Sequence, residues 1–323
     1  MSSTPTLVIP GLFWLHSADN EYLLSQLKLP NIDRLLNNCT LEIIPNKSLS
    51  NWLYDLPSAT ISAQHNLSAQ DFAEFNNWLY VEPTHLRVDR DRLLISEPEL
   101  LQLNDQEIIN TIKTINNHFE NELKIFKLND NLWLMGCNID TSEISANPII
   151  DIIGENIDEY LPTGKNSLKL HSIMNEIQML LFNHEVNTSR ENDGLLAVNS
   201  VWFWQKKFDN KANLITCNYL TNNTLGESIQ SAVTNGSYIY LDTLLYSAKY
   251  RDSFAWVNNL NKLDNIIGNE LLQTLDKYKS VQIIIPNIEQ SIKLIIKKPN
   301  LLNLFKQKNY QKLTNEIAKI SSE

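Results

Sequence analysis

Short apolar runs of strand character alternate with helix-period segments at both ends of this chain, and not in its middle. That pattern narrows the fold more than any other feature. Residues 6–9 form an apolar run closed by Pro10-Gly11. Residues 21–27 have helical spacing, Pro30 opens a second helix at a favoured early position, and residues 40–44 are apolar and β-branched. SAQDFAEFNNWL (68–79) reads as a helix with Ser68 as N-cap and Asp71 in the capping-box position. After Gly194 the alternation resumes. AVNSVWFW, NLITCN, SYIYLD and VQIIIP are strand candidates, with SIKLIIKK pairing beside the last. LGESIQSAV, residues 252–275 and LLNLFKQKNYQKL are helical. Alternation of this kind favours an α/β layer with a mostly parallel sheet flanked by helices.

The middle follows another plan. THLRVDRDRLLI (84–95) reads as two short strands around a charged turn, and residues 104–119 as a helix capped by Asn104. ELKIFKL and NLWLM flank Asn129-Asp130-Asn131, a hairpin signal. Leu170, Ile173, Met174, Ile177, Leu180 and Leu181 make one apolar stripe on a helix over residues 167–183. A length of 323 residues suits two domains. The expected plan is a discontinuous α/β core, residues 1–82 and 195–323, with a smaller α+β domain, 83–194, inserted.

Composition excludes several function classes. The formal net charge is −10, a poor match to nucleic acid or an anionic membrane surface. Lys293, Lys297, Lys298, Lys306 and Lys308 read as a solvated face. Three widely spaced cysteines without a C-x-x-C support neither a disulfide framework nor a zinc knuckle, which suits a reducing cytoplasm. The apolar run 7–15 is broken by Pro10-Gly11, lacks a basic flank and is too short to span a bilayer. There is no Walker loop and no G-x-S-x-G elbow. Asparagine occurs 41 times against eight glycines, the footprint of an AT-rich genome, so an Asn at a polar position says little about function.

Two stretches, VEPTHLRVDRDRLLI (81–95) and LHSIMNEIQMLLFNHEVNTSRENDGLLAVNSVWFW (170–204), resemble a proteobacterial family of RpfE-type regulatory, or phosphoglycerate mutase-like, proteins. That family is similar to a divergent branch of the cofactor-independent phosphoglycerate mutases, within the alkaline phosphatase superfamily. PNIDRLLNN (30–38) resembles the helix that follows the first strand there. The resemblance implies an alkaline-phosphatase-like core and, in active members, two metal ions clamping a phosphate ester while a Ser or Thr takes the phosphoryl group. Such a centre needs carboxylates and imidazoles converging from several loops. Where the superfamily has Asp-Gly after the first strand, this chain has Pro10-Gly11. Where it has Asp and a His four residues on, this chain has Asp242 and Tyr246. Where it has Asp-His after the next core strand, VQIIIP is followed by Asn-Ile-Glu-Gln. No histidine follows His184. Ser48, Ser50, Ser58 and Thr60 lie in the stretch for a nucleophile, and none is distinguished by context.

Candidate ligand-binding residues then come from the two resembling stretches. His85, Arg87 and Asp89 share one face of an extended segment, where an Arg fork and an imidazole suit a phosphate or carboxylate. The competing reading is an exposed hairpin of weakly paired charges. His184, Asn187, Arg190 and, less strongly, Asn199 read either as an anion site between core and insertion, or as a helix end with solvated charges. Asp242 is a retained ligand position or a helix N-cap. Trp202, Trp204 and Trp256 read as core aromatics. The expected function is a degenerate, non-catalytic regulatory or binding protein that takes a phosphorylated or carboxylated metabolite in the interdomain cleft. No cofactor, nucleic acid or membrane is expected, and a protein partner is left open. The alternative is an active metal-dependent phosphomutase or phosphatase with a rearranged site, holding Mg²⁺, Mn²⁺ or Zn²⁺, for instance between Asp242 and Asp252.

Overall fold

The computed structural model describes residues 4–14, 20–45, 47–53, 73–205, 217–220, 238–286, 291–298 and 308–320. The first elements are β1 (Thr6–Val8), α1 (Asn20–Ser25), α2 (Pro30–Leu36), β2 (Cys39–Ile44) and α3 (Leu49–Leu53). Then come β3 (Asn77–Thr84), β4 (Leu86–Asp89), β5 (Arg92–Ile95), α4 (Asp105–Phe119), β6 (Leu123–Lys127) and β7 (Trp133–Cys137). They are followed by α5 (Ile149–Ile152), α6 (Ser167–Phe182), α7 (Glu185–Asn192), β8 (Ser200–Trp204), β9 (Cys217–Leu220) and β10 (Tyr238–Leu241). The last are α8 (Leu245–Lys249), α9 (Ser253–Lys277), β11 (Ser280–Ile285), β12 (Ser291–Lys297) and α10 (Tyr310–Ile320). The chain is mixed α/β and forms two compact units, residues 1–56 with 212–323, and residues 57–211.

The first unit carries a six-stranded sheet in the order β2-β12-β11-β1-β10-β9. The pairings β11–β1, β1–β10 and β10–β9 are parallel, and β12 pairs antiparallel with β11 and β2. Strands buried on both faces read as continuous apolar runs, and the central ones do. Leu7, Val8, Ile239, Leu241 and Val281 are wholly buried. Val8 is level with Tyr240 on one side and Ile284 on the other. The Ile9 amide carries the ladder one step further, donating to the Ile284 carbonyl at 2.9 Å.

Helix α9 clamps helix α2 through one face. The N-terminus of α2 has no side-chain cap of its own, with Leu29 at the N-cap and Pro30 in the first turn. Orphan amides at a helix start need acceptors. Buried Asp264 of α9 supplies them, accepting from the Ile32 amide at 2.7 Å and the Asn31 amide at 3.1 Å. One turn earlier Asn261 accepts from the Lys28 amide at 2.8 Å. One turn later is Gly268, where an added Cβ would lie 2.1 Å from the Cβ of Asn31. Helix α10 docks beside them. Its Tyr310 amide donates to Asp33 at 2.7 Å, and its phenol donates to the Leu12 carbonyl. Burial raises the Asp33 carboxyl, the Tyr310 bond lowers it, and the nearby Asp264 charge raises it again. The basic face expected here is partly paired, Lys293 with Glu42 and Lys298 with Asp276, while Lys306 lies outside the described residues.

The second unit has an antiparallel sheet, β6-β7-β3-β8, and a separate hairpin of β4 and β5. The apolar stripe of α6 is buried except for Leu180, which is half-buried. Helix α4 begins in a capping box between Asn104 and Glu107, with the reciprocal bonds at 3.0 and 2.9 Å. The helix expected over 68–79 does not extend to its end. Asn77–Leu79 lie in β3, since Trp78 and Leu79 extend into a pairing with β7, while residues 68–72 lie outside the described residues. The sequence set the insertion at 83–194. β3 crosses that edge and pairs with both β7 and β8, which draws the flanking residues into the second unit. The helix expected at 225–233 lies outside the described residues. Among the described residues no helix is long and apolar enough to cross a membrane.

Gly268→Ala tests the α2–α9 clamp. Forcing a methyl into this contact is expected to destabilise the chain by about 1–3 kcal/mol, the usual range for overpacking. Urea unfolding reads it, and an unchanged midpoint contradicts the close helix approach.

Candidate functional site

The carboxyl ends of parallel strands are where α/β sheets hold ligands. Pro10, Asp242 and Pro286 each stand two residues beyond the level set of Val8, Tyr240 and Ile284. They therefore occupy neighbouring places at one edge of the first unit's sheet. The backbone there is tightly packed. Gly11 has φ +73°, and an added Cβ would meet the Ala248 Cβ at 2.8 Å and the Leu244 carbonyl oxygen at 2.9 Å. The Gly11 carbonyl accepts from the Trp256 indole at 2.8 Å. Asp242 is buried, and its carbonyl accepts the Leu245 amide at 2.7 Å, which starts α8. Thr243 is also buried, and its hydroxyl finds no hydrogen-bond partner among the described residues. Tyr246 is half-buried on α8.

Among the described residues, the donor set at this edge does not fit a dinuclear metal centre. Proline offers no side-chain ligand at positions 10 and 286, and Tyr246 offers a phenol rather than an imidazole. Asp242 remains as the one carboxylate among Pro10, Asp242, Tyr246 and Pro286. Asp252, the other acid considered, caps α9 by accepting from the Ala255 amide at 2.9 Å. No group of three or more His, Cys, Asp or Glu able to hold a metal ion occurs among the described residues. Residues 287–290 lie outside them, as do Ser58 and Thr60.

The candidate residues of the second unit are brought together, but on a segment of backbone. His85 Nδ1 donates to the Ala197 carbonyl at 2.8 Å. Both amide atoms of Asn199 bond the backbone of Leu86, at 2.7 and 2.9 Å. Buried Asn187 donates to the Leu181 and Val198 carbonyls and accepts from the Val198 amide, each at 2.8 Å. Arg190 is wholly buried. Its guanidinium donates to the Leu196 carbonyl at 2.7 Å, to Glu107 at 2.8 Å and to the Leu101 carbonyl. Residues 196–199, leading into β8, are thus stitched to α7, to His85 and to the start of β4, and Arg190 carries the tie on to α4. His184 is the N-cap of α7. Its Nδ1 accepts from the Val186 amide at 3.3 Å, which leaves Nε2 as the donor to Thr114 at 2.8 Å.

Arg87 and Asp89 lie elsewhere, on the β4–β5 hairpin. Arg87 is exposed, and Asp89 pairs with Arg92 at 3.4 Å across a turn in which Arg90 has φ +59°. Sequence reading passed over Asp264, Thr243 and Glu82. Glu82 is buried on β3 and accepts from the Ile149 amide at 3.3 Å. Asp264 had a legible signal, a carboxylate on the apolar side of α9 between Leu260 and Ile267. Trp202, Trp204 and Trp256 are buried as core aromatics.

No family model matches the chain. The 2,3-bisphosphoglycerate-independent phosphoglycerate mutase of Methanosarcina mazei is 36% identical over 63 residues, 20% of this chain and 16% of that protein. The probable 2,3-bisphosphoglycerate-independent phosphoglycerate mutase of Geobacter sulfurreducens is 39% identical over 57 residues, 18% of this chain and 14% of that protein. The matches thus span less than a fifth of these relatives' lengths. Among solved structures, the cofactor-independent phosphoglycerate mutase from Thermoplasma acidophilum overlaps 98% of this chain and 100% of its own, with 10% identity and a TM-score of 0.38. The PH0037 protein from Pyrococcus horikoshii overlaps 92% of this chain and 88% of its own, with 12% identity and a TM-score of 0.46. Overlaps this loose carry no fold assignment, which rests on the strand pairings alone.

Arg190→Ala separates a bolt from a ligand contact. Removing the guanidinium leaves the Leu101 and Leu196 carbonyls without this donor and the Glu107 carboxylate with the Asn104 amide alone, and breaking a largely buried pair of this kind costs up to about 3–5 kcal/mol. Urea unfolding is expected to show that loss in the absence of any ligand. Wild-type stability in the variant contradicts the structural role.

Proposed function

We propose that this chain is a degenerate relative of the cofactor-independent phosphoglycerate mutases, a regulatory or binding protein that takes a phosphorylated or carboxylated metabolite without turning it over. The observation that carries this reading is the sheet edge at which Pro10, Asp242 and Pro286 follow three adjacent strands. An in-line phosphoryl transfer of that family's kind needs metals to stabilise both the attacking and the leaving oxygen. Proline at position 10, and a phenol at Tyr246, take away donors that would hold them, while the third place, residues 287–290, lies outside the described residues. The short matches to named mutases support the kinship at the level of sequence. For the anion, Arg87 and His85 are the contacts proposed. Arg190 is withdrawn from that role because its guanidinium is wholly buried among protein partners. A second reading, an active metal-dependent phosphomutase or phosphatase with a rearranged site, draws on one observation, the buried carboxylate of Asp242 at the carboxyl end of β10.

Two assays on the full chain decide between them. With added Mn²⁺, Mg²⁺ or Zn²⁺, neither phosphoglycerate isomerisation nor phosphate release from phosphoglycerates is expected above the buffer rate. Turnover that Asp242→Asn abolishes would overturn the degenerate reading. In thermal unfolding, a phosphoglycerate at a hundredfold excess over its Kd is expected to stabilise the chain by about 2.7 kcal/mol. The gain should shrink in Arg87→Ala. No stabilisation by any phosphoglycerate would sink the binding half.

A further inference from the structure

The bond made by one ring nitrogen of a histidine sets what the other can offer. His85 Nδ1 lies 2.8 Å from the Ala197 carbonyl oxygen. A carbonyl only accepts, so Nδ1 carries the hydrogen. In the neutral ring Nε2 is then a lone pair. It has no hydrogen-bond partner among the described residues, and it is not one of the buried polar atoms left without one. Nε2 of this half-buried side chain therefore meets solvent.

The β4–β5 pairing continues through His85, whose carbonyl accepts from the Ser96 amide at 2.9 Å. His85 and Arg87 are thus two apart on one extended segment and share a face. Phosphate and carboxylate oxygens only accept, as a carbonyl does. An anion held by Arg87 meets the neutral His85 ring lone pair to lone pair. The same contact becomes a charge-assisted hydrogen bond once Nε2 gains a proton. Other charges on the surrounding elements are largely matched. Asp89 pairs with Arg92 on β5, and Glu107 of α4 pairs with Arg190, which bonds the Leu196 carbonyl beside Ala197. Half-buried Glu97 follows Ser96. A cation at Arg87 opposes a second one at His85, and an anion against both favours it.

We propose that anion binding at this hairpin takes up one proton from solvent, on His85 Nε2, so that affinity falls as pH rises. This rests on the proposed function, in which His85 and Arg87 hold the anion. Arg87 keeps its charge throughout, so the pH dependence belongs to His85.

Calorimetric titration of the full chain with a phosphoglycerate between pH 7 and 8.5 tests this. A phosphate monoester is mostly dianionic there, its second pKa being about 6, and an ordinary histidine, with a pKa of about 6.5, is mostly neutral. Uptake of one proton per ligand raises Kd by up to about tenfold per pH unit. At pH 7.5, binding heats of the wild type in buffers of different ionisation enthalpy should report close to one proton taken up. His85→Gln, whose amide donates at any pH, should bind with a Kd that is flat over the range. Arg87→Ala should weaken binding at every pH. A wild-type Kd that stays constant, with heats independent of buffer, overturns the proposal and leaves the binding function standing. A slope that persists in His85→Gln places the proton elsewhere and overturns it too. No binding at any pH overturns the binding function, and the proposal with it.

Discussion

Strand β1 has three residues, Thr6–Val8, and it is held on both sides by parallel neighbours. A strand in that position is out of water on both faces, so it is mostly apolar, and its pairings with β10 and β11 set its register. Leu7 and Val8 meet that demand with no exposure at all. The rest of the first unit is built around this. Pro10-Gly11 ends the strand, and the Gly11 carbonyl receives the Trp256 indole. The segment that follows reaches Tyr310 of the last helix through Leu12 and Phe13. The clamp between α9 and α2 closes the same core. Because the register is fixed, the chain leaves the three central strands at one edge of the sheet, where the strands themselves lie ~4.8 Å apart. That puts Pro10, Asp242 and Pro286 at one edge and lets the chemistry of the edge be judged from the residues it holds.

Much of this was legible in the sequence. The buried strands showed as apolar runs, α6 showed as a 3.6-period stripe, and α4 showed through Asn104 and its box. What failed was local reasoning where tertiary pairing decides. Residues 77–79 look like the end of a capped helix, but the strand neighbours available to them draw them into β3. The domain edges were harder still, because a strand that crosses an edge carries no mark of it in its own residues.

The site was only half legible. Positions 10 and 246 can be read directly, since proline has no donor side chain and a phenol is not an imidazole. The residues around Gly194 could not be read that way. His, Asn, Arg and Glu in a short run look the same whether they face an anion or hold backbone. Burial distinguishes them, and burial comes from long-range contacts. Arg190 meets Glu107 across 83 positions of sequence. Asn187 and Asn199 act as bolts even though the abundance of Asn gave each little weight. The long ordered resemblance over 170–204 then has a physical account: several of its polar positions hold the segment that leads into β8.

Whether the sheet edge has lost its metals is decided most directly by calorimetric titration of the wild-type chain with Mn²⁺ or Zn²⁺, beside a Pro10→Asp, Tyr246→His variant that puts two donors back around Asp242. The expected result is no stoichiometric uptake by the wild type and measurable uptake by the variant. Stoichiometric binding by the wild type, abolished by Asp242→Asn, would contradict it.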